Sequence, residues 1–138
     1  MNNFEYLMFG IISIAFLVEY FILKRKNEDL AKEQLDTLIS NSIQIAKNTV
    51  IKVGNSLSSS TKKNEEAFKE AYIVAKEELV KVYEDACRKY LEGKLSGVNF
   101  TNKYWDGVLE LVGDKELESF VTEEKFPNIY KFINKNNE

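Results

Sequence analysis

Few side chains in this chain of 138 residues have the type or spacing that chemistry needs. There is no histidine, and Cys87 is the one cysteine. Without an imidazole there is no His–Cys or Ser–His nucleophile pair and no histidine-containing zinc site. Cys87 adjoins Ala86 on an apolar helical stripe, where a buried structural thiol is expected rather than a nucleophile. The adjacent acids Glu77–Glu78 and Glu123–Glu124 diverge on a helix, so they read as solvated faces and not as acid–base pairs. Gly54, Gly93, Gly97, Gly107 and Gly113 fit neither dinucleotide nor P-loop spacing. These exclusions point away from an enzyme. No cofactor, metal or small-molecule substrate is expected.

The strongest signal is physical rather than catalytic. Tyr6 to Leu23 form one apolar run, YLMFGIISIAFLVEYFIL, followed at once by Lys24, Arg25 and Lys26. A bilayer core takes about 17–25 mainly apolar helical residues. The run lacks the basic n-region and small-residue cleavage site of a signal peptide. A core helix apolar on every side would need a large protein interior, which the polar remainder cannot supply. A single transmembrane helix is therefore predicted. The basic flank places the N-terminus outside and the rest of the chain in the cytoplasm. Glu19 is the charge inside the run. It lies about one turn from the end, where it can reach the interface and be offset by Lys24 and Arg25. Gly10 and Ser13 are small enough for helices to approach, so Gly10, Ser13 and Glu19 are the candidate membrane-packing residues.

The 19 basic and 22 acidic residues give a net charge of −3, not the basic balance of a nucleic-acid binder. A single cysteine excludes an intramolecular disulfide. One proline, scarce glycine and abundant Lys, Glu, Leu and Ala predict helices.

Two apolar seams follow the membrane segment. Ile39, Ile43, Ala46, Val50, Val53 and Leu57 are spaced 4-3-4-3-4, a coiled-coil-like pattern on a helix from about Glu28 to Ser56. Residues 54–64, rich in serine, read as a loop. Phe68, Tyr72, Ala75, Leu79, Val82 and Ala86 repeat the pattern on a helix from about Asn64 to Leu91, with Gly93 as its stop. Two seams of matching length predict an antiparallel helical hairpin. Its apolar residues Ile39, Ile43, Val50, Phe68, Tyr72, Leu79 and Val82 are the candidate face for a partner or for self-association. Beyond a connector over 94–100, short helices are expected over Lys103–Val112, Asp114–Glu124 and Asn128–Ile133, with a break at Phe126-Pro127. The expected fold is all-α. It has a transmembrane anchor with a basic flank over 1–26, a long hairpin over 27–93 and a small acidic helical region over 94–138.

One stretch, KKNEEAFKEAYIVAKEELV (Lys62–Val80), resembles the single-span LLH-type holins of tailed phages. In that family a span leads to a helical cytoplasmic region carrying a motif like "EAF-x-x-A", here Glu66, Ala67, Phe68 and Ala71. The resemblance covers about residues 5–91, and the acidic, aromatic end from Tyr104 departs from it. It implies a small phage membrane protein that associates in the bilayer and permeabilises it. The alternative from the residues alone is a membrane-tethered scaffold or adaptor that binds a protein partner through its hairpin. Either way the expected partners are the membrane and a second copy or another protein.

Overall fold

The structure, a computed structural model, describes the backbone of residues 3–137 and the side chains of residues 13–97 and 99–137. Among these residues the chain is all-α: α1 (Asn3–Ser58), α2 (Glu65–Leu91), α3 (Gly97–Val112) and α4 (Pro127–Asn136). It divides into two compact units, Met1–Gln34 and Leu35–Glu138.

The described backbone of the first unit, residues 3–34, is helix alone. Its described part carries Ile14, Phe16, Leu17, Val18, Tyr20, Phe21, Ile22 and Leu23, each at least half exposed. Among the described residues no helix is long and apolar enough to cross a membrane. Residues 6–12 of the apolar run, Gly10 included, lie outside the described side chains.

The second unit is a helical bundle. The expected hairpin is present: α1 and α2 run antiparallel, with Ile39 near Val82 at one end and Gly54 against Tyr72 at the other. The first helix extends beyond its expected end, however, and the connection is confined to residues 59–64. Gly54 continues the helix because it suits close packing: a Cβ there would stand 3.2 Å from the Tyr72 ring. Ser56 and Ser58 donate their hydroxyls to the carbonyls of Lys52 and Gly54, four residues back, and so fit the helix they were expected to end. Helix α2 matches its expected bounds within a residue. Gly93 follows it with φ +72°, a left-handed conformation that favours glycine.

The buried stripe of α2 is Ala75, Leu79, Val80, Tyr83, Ala86 and Cys87. It is rotated from the expected seam towards Val80, Tyr83 and Cys87, leaving Phe68, Tyr72 and Val82 half-buried. The rotation follows from α3 and α4, which cover that side. Tyr90 stacks on Phe100 at 5.1 Å between centroids. Phe132 meets Tyr90, Phe100 and Trp105 edge-on or tilted at 5.3, 5.4 and 5.7 Å. Aromatic rings at such distances add to the burial of their area.

Two C-terminal expectations are corrected. Helix α3 begins at Gly97, well before Lys103, because Phe100 is buried and draws the supposed connector into the helix. Residues 114–124 form successive turns and no helix. The Asp114 carboxylate accepts the Glu116 N–H at 2.9 Å, and tight bonds run from Leu117 N–H to the Asp114 carbonyl and from Phe120 N–H to the Leu117 carbonyl. Such local side-chain bonding competes with helix. The turns deliver Leu117, Val121 and Phe126 into the core. Pro127 then opens α4, which runs on to Asn136, further than expected.

Leu117 is fully buried on a segment without regular structure. Leu117→Ala should cost about 2–5 kcal/mol in denaturant unfolding. A loss under about 1 kcal/mol would mean that the turns do not close the bundle.

Candidate functional site

The residues singled out in the sequence fall in three settings. Ser13, Glu19, Lys24, Arg25 and Lys26 are exposed on α1 in the first unit, and Gly10 lies outside the described side chains. Ile39, Ile43 and Leu79 are buried in the chain's own core, whereas Val50, Phe68, Tyr72 and Val82 are half-buried around it. The seam residues therefore meet within one chain. What the hairpin leaves outward is a different set, with Leu38 and Ile45 of α1 and Val74 of α2 more than half exposed.

The ion pairs that tie the bundle were not visible in the sequence pattern. Lys76 reaches across to Asp114 and Glu116, each at 2.6 Å. Burial alone would lower the Lys76 pKa, but the hydrogen bonds to both carboxylates raise it well above the ordinary lysine value. Burial pushes Asp114 up; the bonds from Lys76 and from the Glu116 N–H, with the Lys76 charge, outweigh this and hold it low. Asp85 is held low in the same way, by Lys89 and Arg88 against its own burial. Within α2, Lys81 pairs with Glu78 at 2.6 Å.

A second unforeseen device caps α4. The Glu84 carboxylate on α2 accepts the N–H groups of Asn128 and Ile129 at 3.0 and 2.9 Å and the Asn128 amide at 2.6 Å. It supplies the acceptor that Phe126, the residue before the helix, cannot. An acid followed by an apolar run one helix away has no local signature in sequence.

Cys87 is fully buried, and its burial, with the Glu84 charge, raises its thiol pKa far above the usual range. At neutral pH it is a packed thiol rather than a thiolate. Tyr83 is also fully buried, and its hydroxyl has no hydrogen-bond partner among the described residues. Burial first, then the neighbouring Tyr104, Glu110 and Cys87, push its pKa up to about 12. The phenol lies against Gly107 so closely that a Cβ there would collide with its oxygen. No three acidic, histidine or cysteine side chains among the described residues cluster as metal ligands.

Compared with protein-family models, curated proteins and solved structures, the chain matches none. The likeness to single-span holins stays a resemblance carried by Glu66, Ala67, Phe68 and Ala71.

Two outcomes are expected. Gly107→Ala should destabilise the bundle by about 1–3 kcal/mol through overpacking, and adding Tyr83→Phe should restore part of that loss. Additive losses in the double variant would show that the hydroxyl is not the obstacle. In acid, a depressed carboxyl pKa contributes stability that is present above the unfolded value and lost as pH falls through the folded one. With Asp114 and Asp85 below the ordinary 3.8, unfolding free energy should hold from neutral pH to about 5 and fall below about 4. Lys76→Met should remove the Asp114 part of that slope and leave the Asp85 part. An unchanged slope in the variant would contradict the assignment.

Proposed function

We propose that the chain is a membrane-tethered helical bundle, held at the bilayer by its N-terminal helix and working through its folded second unit. The observation that carries this reading is the exposure of the large apolar side chains from Ile14 to Leu23. Leaving a large aliphatic or aromatic side chain in water forgoes about 1.5–3 kcal/mol. Phe16 is 68 % exposed, Leu17 57 % and Phe21 63 %, so apolar surface faces outward on every side of the helix. With the apolar residues before them in sequence and the basic flank after them, lipid is the fitting surroundings. The N-terminus lies outside and residues 24–138 in the cytoplasm on this reading. The bundle's own aromatic core favours a folded adaptor or scaffold, because its apolar seam is occupied within the chain. No catalytic step is assigned to it.

A second reading keeps the same topology and gives the span the active part. Spans would gather, associate through Gly10, Ser13 and Glu19, and permeabilise the membrane as holins do. It is favoured by the acid Glu19 among exposed apolar neighbours, where an ionisable group is costly and often marks a contact between helices.

Inducible bacterial expression separates the two. On the tether reading the full chain stays with membranes after alkaline carbonate washing, cells keep their membrane potential, and a foreign span of equal length is tolerated. Abrupt depolarisation that disappears with Glu19→Leu or with the foreign span would support the holin-like reading instead. Recovery of the full chain in the soluble fraction would sink both.

A further inference from the structure

Over residues 37–51 the face of α1 turned away from its own bundle carries no charge. Ile39, Ile43 and Val50 of this helix belong to the core. Around the rest of the helix no exposed position over 37–51 is charged, although charged residues make up 30 % of the chain. The charge that does fall in this stretch, Lys47, is half-buried and lies 5.9 Å from the Tyr83 ring centroid. Helix α2 differs: its exposed positions include Glu65, Glu66, Lys69, Glu70, Lys81 and Arg88. A helix face that meets only water ordinarily carries such charges.

Within this face a stripe repeats at coiled-coil spacing. Leu38, Asn41, Ile45 and Asn48 stand 3-4-3 apart, and Leu38 and Ile45 are 62 % and 67 % exposed. Polar groups beside them are satisfied by the helix itself. The Ser42 and Thr49 hydroxyls donate to the carbonyls of Leu38 and Ile45 at 3.0 and 2.9 Å, and the Gln44 amide donates to the Asn48 side-chain oxygen at 2.9 Å. Bonds made within the helix survive when water is withdrawn, so they lower the polar cost of covering this surface. Charges lie at its borders instead. Lys81 and Asp85 of α2 share a groove with Leu38 and Ser42, and Lys103 of α3 shares another with Asn41. An uncharged centre with a charged rim is the anatomy of a protein–protein interface.

We propose that a second copy of this chain covers the stripe, its α1 parallel to the first and in register. Three features choose a copy over a different protein. An uncharged surface is complementary in charge to itself, and it offers no ion pair by which another protein would be selected. Parallel helices in register bring each residue opposite itself. Leu38 and Ile45 then meet their own copies, and the Asn41 and Asn48 amides, donor and acceptor at once, bond with theirs. The membrane tether proposed for α1 orients all copies alike and raises their effective concentration. The parallel orientation thus rests on the membrane reading, whereas the stripe itself belongs to the second unit and is separate from Gly10, Ser13 and Glu19.

The test is disulfide cross-linking of the full chain in bacterial membranes with copper phenanthroline, one cysteine introduced at a time and the buried Cys87 left in place. Asn41→Cys and Asn48→Cys should each give a dimer. Glu70→Cys, exposed on α2, should give none. Adding Ile45→Lys should cut the Asn48→Cys yield at least tenfold and leave thermal unfolding of the bundle unchanged, because Ile45 lies outside the core. Ile51→Lys, at a position 60 % exposed but off the stripe, should leave the yield as it is. No dimer through Asn41→Cys or Asn48→Cys, or an equal yield through Glu70→Cys, overturns the interface. Equal losses with Ile45→Lys and Ile51→Lys, or a cross-link to a different protein, overturn it as well. Fractionation keeps the two proposals apart. A soluble chain that still cross-links through Asn48→Cys keeps the interface and sinks the tether; a membrane-bound chain that does not cross-link does the reverse.

Discussion

Burial of one stripe on α2 holds the described residues 35–137 together. Val80, Tyr83, Ala86 and Cys87 are wholly withdrawn from solvent, and each further helix contributes to the core they share. The stripe is wider than a two-helix seam needs, which is why a hairpin alone would leave it uncovered. Helix α3 and the turns after it close one part with Val108 and Leu117; α4 closes another with Ile129 and Phe132. The polar ties then act at the edges. Glu84 fixes the start of α4, and Lys76 holds the acidic turn. A charged group tied by several hydrogen bonds resists the cost of partial burial better than a single exposed pair does.

The same physics sets the two units apart. In the second, large apolar side chains find other apolar side chains of the chain. In the first, those from Ile14 to Leu23 stay at least half exposed, although the Tyr20 and Phe21 rings meet edge-on at 5.9 Å. The proposal of a lipid surrounding rests on this contrast between a closed core and an apolar helix left open on all sides. Lipid fits both the run and its basic border.

Local signals in the sequence carried much of the fold. The 4-3-4-3-4 spacing located α2 almost to the residue, and Gly93 ended it through its left-handed backbone. Ile39, Ile43 and Leu79 were legible as interior positions from period alone. What escaped was set by contacts far apart in the chain. Gly54 looked like a helix end, but Tyr72 makes it a packing site. A helix was expected from Asp114, but its side chain is shared between Glu116 and the distant Lys76 and starts a turn. The packing of Lys47 and Gly107 about Tyr83 joins three helices, and no spacing rule places them together. Glu84 was one acid among many until α4 was seen to begin beneath it.

Lipid is proposed to surround the exposed apolar helix. Spin labels placed one at a time from Ile14 to Leu23, on the full chain in lipid vesicles, test it most directly; the buried Cys87 leaves the native thiol out of the labelling. Each label should be relaxed more by oxygen than by a water-soluble nickel chelate, on every face of the helix. Strong relaxation by nickel along the segment, or protection of one face from both reagents with the other open to water, would contradict the account.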